Sequence, residues 1–567
     1  MCGIIGIVGK EEVADRLVDG LRRMEYRGYD SAGVCTVAGG QLVRRRAPGK
    51  LNNLVKELAV NPAPGLVGIA HTRWATHGAP TSANAHPHAT EVLALVHNGI
   101  IENFRQLKEA LSARGRSFES DTDTEVVAHL LSEQVEAGKS PEEAVKATLP
   151  QLRGAFALAI AFKDHPGMLI GARLGSPLVL GFGDGETYLG SDALALAPLT
   201  QKIAYLDEGD WVVVTRDGAQ IFDKDNRPVE REVTTSGASA AEIEKGNYRH
   251  FMQKEIFEHP DGVSRTVSHY INPVTEEAVL REAALDFANM KRLHIVGCGS
   301  AYIAGRIGEY WFEHLAKLPV ECDIASEYRY RDPALEPGEA ALFISQSGET
   351  ADTLAALRLS KEAGLPTVGL VNVQTSSIAR ECTAALPTLA GPEIGVASTK
   401  AFSAQLSALA ALAVNAARQR GKIDRAREAE LIHHLIETPR LLHEALQTED
   451  QIKKLAHDVA QARDVLFLGR GAMYPLALEG ALKLKEISYI HAEGYASGEL
   501  KHGPIALVDE HTPIVMLAPF DDLWEKNFSN LQEVMARGGR VILITDKEGA
   551  EASKGVPWAT VIGPTCD

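Results

Sequence analysis

No two cysteines of this chain stand at C-x-x-C spacing. The six, at 2, 35, 298, 322, 382 and 566, are scattered over 567 residues, which excludes a disulfide framework and fits a reducing cytosol. Long apolar runs are missing too. The most apolar stretch, Ala401 to Val414, is broken by Ser403, Gln405 and Ser407 and falls short of the roughly 20 residues that a membrane span requires. The start has neither a basic segment nor an apolar h-region, so no export signal is expected. No basic stripe offsets the net charge of -17, which argues against nucleic acid as a partner. Metal ligation is not indicated: the histidine pair His86-Pro87-His88 has a proline between its members and reads as a loop. No Gly-x4-Gly-Lys-Ser/Thr occurs, which argues against a nucleoside triphosphate, and no cofactor is expected.

What is present is a chain too long for one core, with 45% hydrophobic and 23% charged residues, as in globular proteins of several domains. It begins Met1-Cys2-Gly3-Ile4-Ile5-Gly6. Trimming of the methionine leaves a thiol and a free α-amine on one residue, with reference pKa values near ~8.5 and ~7.7–8.0. That combination puts a nucleophile and its base in one place. The other reading is a small-residue entry to a buried strand.

Up to about Val233 short apolar runs alternate with turn signals at Gly39-Gly40, Asn98-Gly99 and Asp217-Gly218. Helical patterns fall at Glu11–Met24, Glu102–Ala113, Asp123–Ala137 and Pro141–Leu149. Two helix layers covering antiparallel sheets satisfy that order, an α+β sandwich of αββα type. Three stretches within it suit an α-amino acid. Arg73, in His71-Thr72-Arg73-Trp74-Ala75-Thr76-His77-Gly78, offers a fork for a carboxylate, or a surface ion pair. Asn98-Gly99 is a hairpin turn by default, and equally a pair of donors for an oxyanion. Asp121-Thr122-Asp123-Thr124-Glu125 opens a helix, either as a cap or as a carboxylate for an α-ammonium group.

With Cys2-Gly3-Ile4 and Tyr26-Arg27-Gly28-Tyr29-Asp30-Ser31-Ala32-Gly33, these motifs resemble the N-terminal-nucleophile glutaminase domain of amidotransferases, five motifs in the expected order. The resemblance implies attack by Cys2 on the glutamine amide and an oxyanion hole at Asn98 and Gly99. It places Arg73 on the α-carboxylate and Asp123 on the α-ammonium group, with Trp74, Thr76 and His77 in the same binding loop and Trp74 gating ammonia.

Residues 234–247 are small, polar and aperiodic, a linker. A helical region from Tyr248 is expected to reach about Met290. The texture then changes to strands alternating with long helices, hence parallel α/β units. Gly297 and Gly299 with Tyr302, and Gly469 and Gly471 with Tyr474, repeat the same offsets, so two similar lobes are expected over 248–424 and 425–567. A dinucleotide is disfavoured because Tyr302 replaces the third glycine of the fingerprint. Hydroxyls at the strand–helix junction Ser345-Gln346-Ser347-Gly348-Glu349-Thr350 suit a monophosphate, or a capped helix start. Glu479, Lys483 and Glu486 share one face of a helix expected over Ala477–Ile487, whose apolar neighbours leave little solvated face. His502 lies in a glycine- and proline-rich loop.

Ser345–Thr350, Glu393-Ile394-Gly395-Val396-Ala397-Ser398-Thr399-Lys400 and Leu478–Ser488 resemble the paired sugar-isomerase (SIS) lobes of the glutamine–fructose-6-phosphate aminotransferase family. The resemblance covers nearly the whole chain. It implies a transferase using glutamine and fructose 6-phosphate, cytoplasmic and homodimeric, with internal passage of ammonia. Phosphate falls to Ser345, Ser347 and Thr350, with Gln346 and Ser300 nearby; Val396 and Ser398 line the sugar. His502 helps open the ring, and Glu486, supported by Lys483, moves a proton between C1 and C2. A glutaminase alone and a sugar-phosphate sensor are the alternatives, and a phosphoribosyl acceptor lacks its acidic loop here.

Two departures stand out. Ala301 takes the place of a hydroxyl residue, at a cost of roughly 0.5–1.5 kcal/mol for a neutral hydrogen bond. The family's closing Asp-Gln-Pro-Arg-Asn-Leu-Ala-Lys motif is not found, and the sequence ends at Asp567. The expectation is glutamine hydrolysis with poor synthesis of glucosamine 6-phosphate. Paired assays of glutamate and glucosamine 6-phosphate check it, and full synthase turnover would contradict it.

Overall fold

The computed structural model describes residues 2–25, 28, 30–74, 77–235, 245, 247–282 and 285–565. It divides into two compact units, Met1–Glu244 and Lys245–Asp567.

The first unit is built on two antiparallel sheets. Strand Gly3–Val8 lies inside an eight-stranded sheet, paired on one side with Val67–Arg73 and on the other with Thr187–Gly190. Leu93–Ile101 pairs with Gly154–Phe162 in a seven-stranded sheet. Period-2 alternation sends Ile4, Val8, Cys35 and Ile69 of one sheet against Ala94, Val96, Ala157 and Ala159 of the other, which forms the dry interior. The outer faces are covered by helices: Ala14–Arg22 and Leu51–Val60 on one, Thr124–Glu136 and Pro141–Thr148 on the other. The expected αββα order is therefore present, and the four expected helices sit within a few residues of their sequence bounds. Asn98-Gly99 is not a turn. It lies inside Leu93–Ile101, because Gly99 takes φ +118° within the ladder and keeps its pairing with Phe156.

The expected linker also differs at its start. Thr234 and Thr235 belong to strand Val233–Thr235, paired with Lys202–Ala204; residues 236–244 and 246 lie outside the described residues, as do Tyr26, Arg27, Tyr29, Ala75 and Thr76.

The second unit contains two five-stranded parallel sheets. The first has the order Val320–Ile324, Leu293–Gly297, Ala340–Ser345, Thr367–Val371, Ala384–Pro387. The second runs His491–Ala496, Asp464–Gly469, Pro513–Leu517, Arg540–Thr545, Ala559–Ile562. In each, the first strand in sequence is second in space, so the repeated glycine offsets do mark a repeated topology. Ahead of the first sheet, helices Phe251–Phe257 and His259–Tyr270 end earlier than expected. Asn272 precedes a proline, which disfavours helix, and a short hairpin, Ile271–Asn272 with Glu277–Ala278, takes the rest. Helix Arg425–Leu446, placed with the second lobe from sequence, packs through Ile432 onto Val263 and Val267 of the first. The apolar run 401–414 is the buried part of helix Lys400–Gln419. Among the described residues no helix is long and apolar enough to cross a membrane.

Phe343, fully buried against Tyr328, Ala356 and Leu357, anchors the layer behind the first parallel sheet. Phe343→Ala is expected to cost about 3–5 kcal/mol by cavity formation, read as a lower guanidinium chloride midpoint of the full chain.

Candidate functional site

In the first unit the place of Cys2 is set by strand pairing. Gly3 faces Thr72 across the ladder, so Cys2 emerges beside Arg73 and Trp74. The Trp74 N–H donates to the Cys2 sulfur at 3.3 Å. Burial pushes the thiol up from its ordinary value, while that N–H, the amino-terminal charge and Arg73 pull it down.

One cleft is lined by Cys2, Arg73, Trp74, His77, Gly99 and Asp123, together with His86, His97, Thr122 and Thr124. The expected glutamine-binding residues thus come together, except Thr76, which lies outside the described residues. Asn98 reaches Cys2 directly: its Nδ2 donates to the Cys2 carbonyl at 3.1 Å. A Cβ on Gly99 would lie 2.0 Å from the Ala155 oxygen, at a φ that side chains rarely adopt, so only glycine fits there. Asp123 stands at the N-cap of Thr124–Glu136 but does not cap it. Its Oδ2 accepts from Ile101 N at 2.8 Å, joining the helix start to the strand that carries Asn98. The Arg73 guanidinium, 3% exposed, donates to the carbonyls of His77, Gly78 (3.0 Å) and Ala79 (3.3 Å). Trp74 is 42% exposed.

Beneath this cleft is a group that sequence reading missed. His71, His86, His88 and His97 are all buried; His71 stacks on His86 at 4.2 Å and His86 meets His88 edge-on at 4.8 Å. Burial, with the neighbouring imidazoles, drives His71 to about 3 and lowers His97 and His86, the latter far below its ordinary value. His88 falls to about 3 by burial, against the pull of Glu125. Burial thus favours the neutral form of all four, and the partners of His71 fix its tautomer. His71 Nε2 lies 3.0 Å from the His97 carbonyl and 3.1 Å from Asn98 Oδ1. Both are acceptors, so Nε2 carries the hydrogen. Thr124 Oγ1 bridges His86 Nε2 and His97 Nδ1, each at 2.9 Å, and Thr122 Oγ1 holds His88 Nε2 at 3.0 Å. Glu125 accepts from the N–H groups of Glu119 and Ser120. Burial raises its carboxyl, but His129, Ser120 and those N–H groups hold it down at about 2. The Asp121–Glu125 motif therefore pins the histidines as well as presenting Asp123. The His86-Pro87-His88 signal was visible, but its burial depends on strands remote in sequence.

The second unit gathers a second set. Helix Met473–Ser488 packs Leu476, Leu478 and Leu482 onto the first lobe's core. Its polar face carries Glu479, Lys483 and Glu486, as the spacing implied. Lys483 Nζ lies 2.6 Å from Glu486 Oε2 and 3.5 Å from Glu479 Oε1. Ser300, at the start of helix Ser300–Trp311 in the first lobe, donates to Glu479 Oε1 at 2.8 Å and accepts from Lys483 at 3.1 Å. Burial raises the Glu479 carboxyl against the pull of Lys483 and Ser300. The helix is less buried than its composition suggested: its end, with Ile487 at 53% exposure, faces solvent. Ser345 Oγ meets Thr350 Oγ1 at 3.0 Å and accepts from Gly348 N at 3.0 Å, while Ser347 Oγ accepts from Glu349 N at 3.2 Å. Ser345, Gln346, Ser347 and Thr350 form the turn between strand Ala340–Ser345 and helix Ala351–Glu362. Val396 is half exposed, and the Ser398 hydroxyl donates to Glu393 at 3.0 Å. His502 is exposed at the end of a single turn, Leu500–His502, whose Leu500 is buried; among the described residues no hydrogen bond joins it to Lys483 or Glu486.

Comparison with known proteins adds to this geometry. A glutamine amidotransferase domain family matches residues 71–198, and the SIS domain family matches 286–415 and 458–555. The glutamine–fructose-6-phosphate aminotransferase (isomerizing) of Zymomonas mobilis is 61% identical over 564 residues, 100% of this chain and 93% of the relative. The protein of that name from Brucella suis is 59% identical with the same coverage. The solved C-terminal domain of glucosamine-fructose-6-phosphate aminotransferase from Francisella tularensis is 43% identical, with a TM-score of 0.55, covering 57% of this chain and 92% of that one.

The neutral histidines make stability depend on pH. Their folded pKa values lie below the unfolded 6.5, so the unfolded chain takes up protons that the folded one refuses. Stability is complete above 6.5 and is lost as pH falls toward 3, by roughly 1.4 kcal/mol per histidine and pH unit. The calorimetric midpoint of the full chain should drop between about pH 7.5 and 5.5, less steeply in His88→Gln; parallel curves for the two proteins would contradict the assignment.

Proposed function

The chain belongs to the glutamine–fructose-6-phosphate aminotransferase (isomerizing) family, and on that premise we propose how its two units divide the reaction. Overall it moves the amide nitrogen of glutamine onto fructose 6-phosphate and isomerises the product, giving glucosamine 6-phosphate and glutamate.

The first unit releases ammonia. With Met1 removed, the amine of Cys2 takes the thiol proton, and the sulfur attacks the side-chain carbonyl of glutamine. Charge developing on that oxygen is met by Asn98 Nδ2–H and Gly99 N–H. Ammonia departs, and water hydrolyses the thioester to glutamate. Arg73 takes the substrate carboxylate and Asp123 the α-ammonium group; Trp74, Thr76 and His77 close the loop over it. The observation that carries this assignment is the single cleft shared by Cys2, Arg73, Gly99 and Asp123.

The second unit binds and isomerises the sugar. The phosphate sits on Ser345, Ser347 and Thr350 at a helix start, where N–H groups and hydroxyls suit an anion, with Gln346 and Ser300 alongside. Val396 and Ser398 border the sugar. His502 assists ring opening. Ammonia adds at C2 of the open-chain ketose with loss of water, and Glu486 then carries a proton from C1 to C2, its carboxylate held by Lys483 at 2.6 Å. The same reading makes the enzyme a cytoplasmic homodimer whose substrates are glutamine and fructose 6-phosphate, with neither nucleic acid nor membrane as partner.

Two variants separate the halves. Cys2→Ala should abolish glutamine hydrolysis, a drop of at least about 10³-fold, while isotope exchange at the sugar carbons persists. Glu486→Gln should abolish that exchange and leave glutamine hydrolysis within about twofold. Loss of both activities in either variant, or of neither, would overturn the division of labour.

A further inference from the structure

Glu255 is 2% exposed and sits in the first helix of the second unit, Phe251–Phe257, remote in sequence from every residue given a role above. Its carboxylate accepts from two main-chain groups, the N–H of Ile394 and that of Gly395, the latter at 2.8 Å to Oε1 and 3.1 Å to Oε2. Those groups begin the segment that carries Val396 and Ser398. No regular structure holds residues 388–399, so individual hydrogen bonds set their path. Glu393 ties the far end: its Oε1 accepts from Thr399 N at 2.8 Å and Ala401 N at 3.1 Å, and its Oε2 from the Ser398 hydroxyl.

The fit at Glu255 is close. A Cβ on Gly395 would lie 2.3 Å from Glu255 Oε2, so the carboxylate approaches the backbone as only glycine permits. Keeping a carboxyl there is costly. Burial pushes it up to about 7, with Glu393 adding to the rise, against the Ile394 and Gly395 N–H groups and Lys400. Lys400 is itself bound to Glu258 at 2.6 Å. A simple apolar contact would hold the helix against the loop without that desolvation cost; a carboxylate instead fixes two peptide groups in orientation.

We propose that Glu255 is a positioning residue for the sugar site, acting through the Ile394 and Gly395 peptides to set where Val396 and Ser398 meet the substrate. The proposal rests on the reading of the 393–400 segment as the sugar's border.

The test uses the full chain, with calorimetric binding of fructose 6-phosphate and steady-state kinetics side by side. Glu255→Ala should weaken sugar-phosphate binding and raise the KM for fructose 6-phosphate by about tenfold or more, the scale of a hydrogen bond to a charged acceptor, with a smaller change in kcat. Glu255→Gln keeps an acceptor oxygen and should recover most of the loss. Gly395→Ala, which presses on the same carboxylate from the other side, should raise KM like Glu255→Ala. Glutamine hydrolysis should be unchanged in all three. Unchanged sugar binding in Glu255→Ala, or equal losses in the Gln and Ala variants, overturns the proposal while the sugar-site reading stands. A wild-type chain that does not bind fructose 6-phosphate overturns that reading and this inference with it.

Discussion

The hydrogen bond between His71 Nε2 and Asn98 Oδ1 decides which way the amide beside Cys2 faces. Nε2–H turns the oxygen of Asn98 inward, which leaves its NH2 group toward Cys2. The opposite orientation would aim a carbonyl at a developing oxyanion and repel it. Burial favours the neutral imidazole, because among the described residues His71 Nδ1 has no partner and a proton there would have no acceptor. Neutrality is in turn secured by depth between the two sheets and by crowding among His86, His88 and His97. The sandwich, its polar underlayer and the donor beside Cys2 are thus one construction, and the Asp121–Glu125 segment closes it, Thr122 binding His88 and Thr124 binding His86 and His97.

In the second unit one cation serves two carboxylates in unlike surroundings. Glu479 is 5% exposed and is pushed up by burial, whereas the Glu486 side chain is 35% exposed, on the far side of Lys483. A dry carboxyl and a wetter one sharing an ammonium group do not play the same part, which is the general basis for assigning different proton-transfer roles to paired acids. The dry one is bonded to Ser300 across the lobes and orders the row. Among the described residues the wetter one meets Lys483 alone, at 2.6 Å, at the more exposed end of the row.

Much of this was legible in the residues. Strand and helix texture gave the two-part division and both sheet types, and the repeated glycine offsets announced the repeated strand order. The helical face of Glu479, Lys483 and Glu486 needed only a spacing of four and three. What failed did so for identifiable reasons. Asn98-Gly99 reads as a turn by local chemistry, yet strand pairing with Ala157 and Phe156 overrides it. His86 and His88 read as a loop, and their burial was hidden because their partners, Thr124 and Thr122, are more than thirty positions away. Residues 271–290 carry a helical composition, but Asn272-Pro273 interrupts it. The bond from Ile394 to Glu255 spans 139 positions, and no local pattern announces a contact of that range.

Four buried carboxylates in this chain are met by peptide N–H groups: Asp123 by Ile101, Glu125 by Glu119 and Ser120, Glu255 by Ile394 and Gly395, Glu393 by Thr399 and Ala401. A peptide donor cannot swing away as a lysine can, so each such bond fixes a loop without using a mobile cation. Arg73 shows the converse. Its guanidinium is occupied by neutral carbonyls of the loop from His77 to Ala79, which are weaker acceptors than a carboxylate. A carboxylate is the stronger acceptor and would compete favourably with these carbonyls for the same donors.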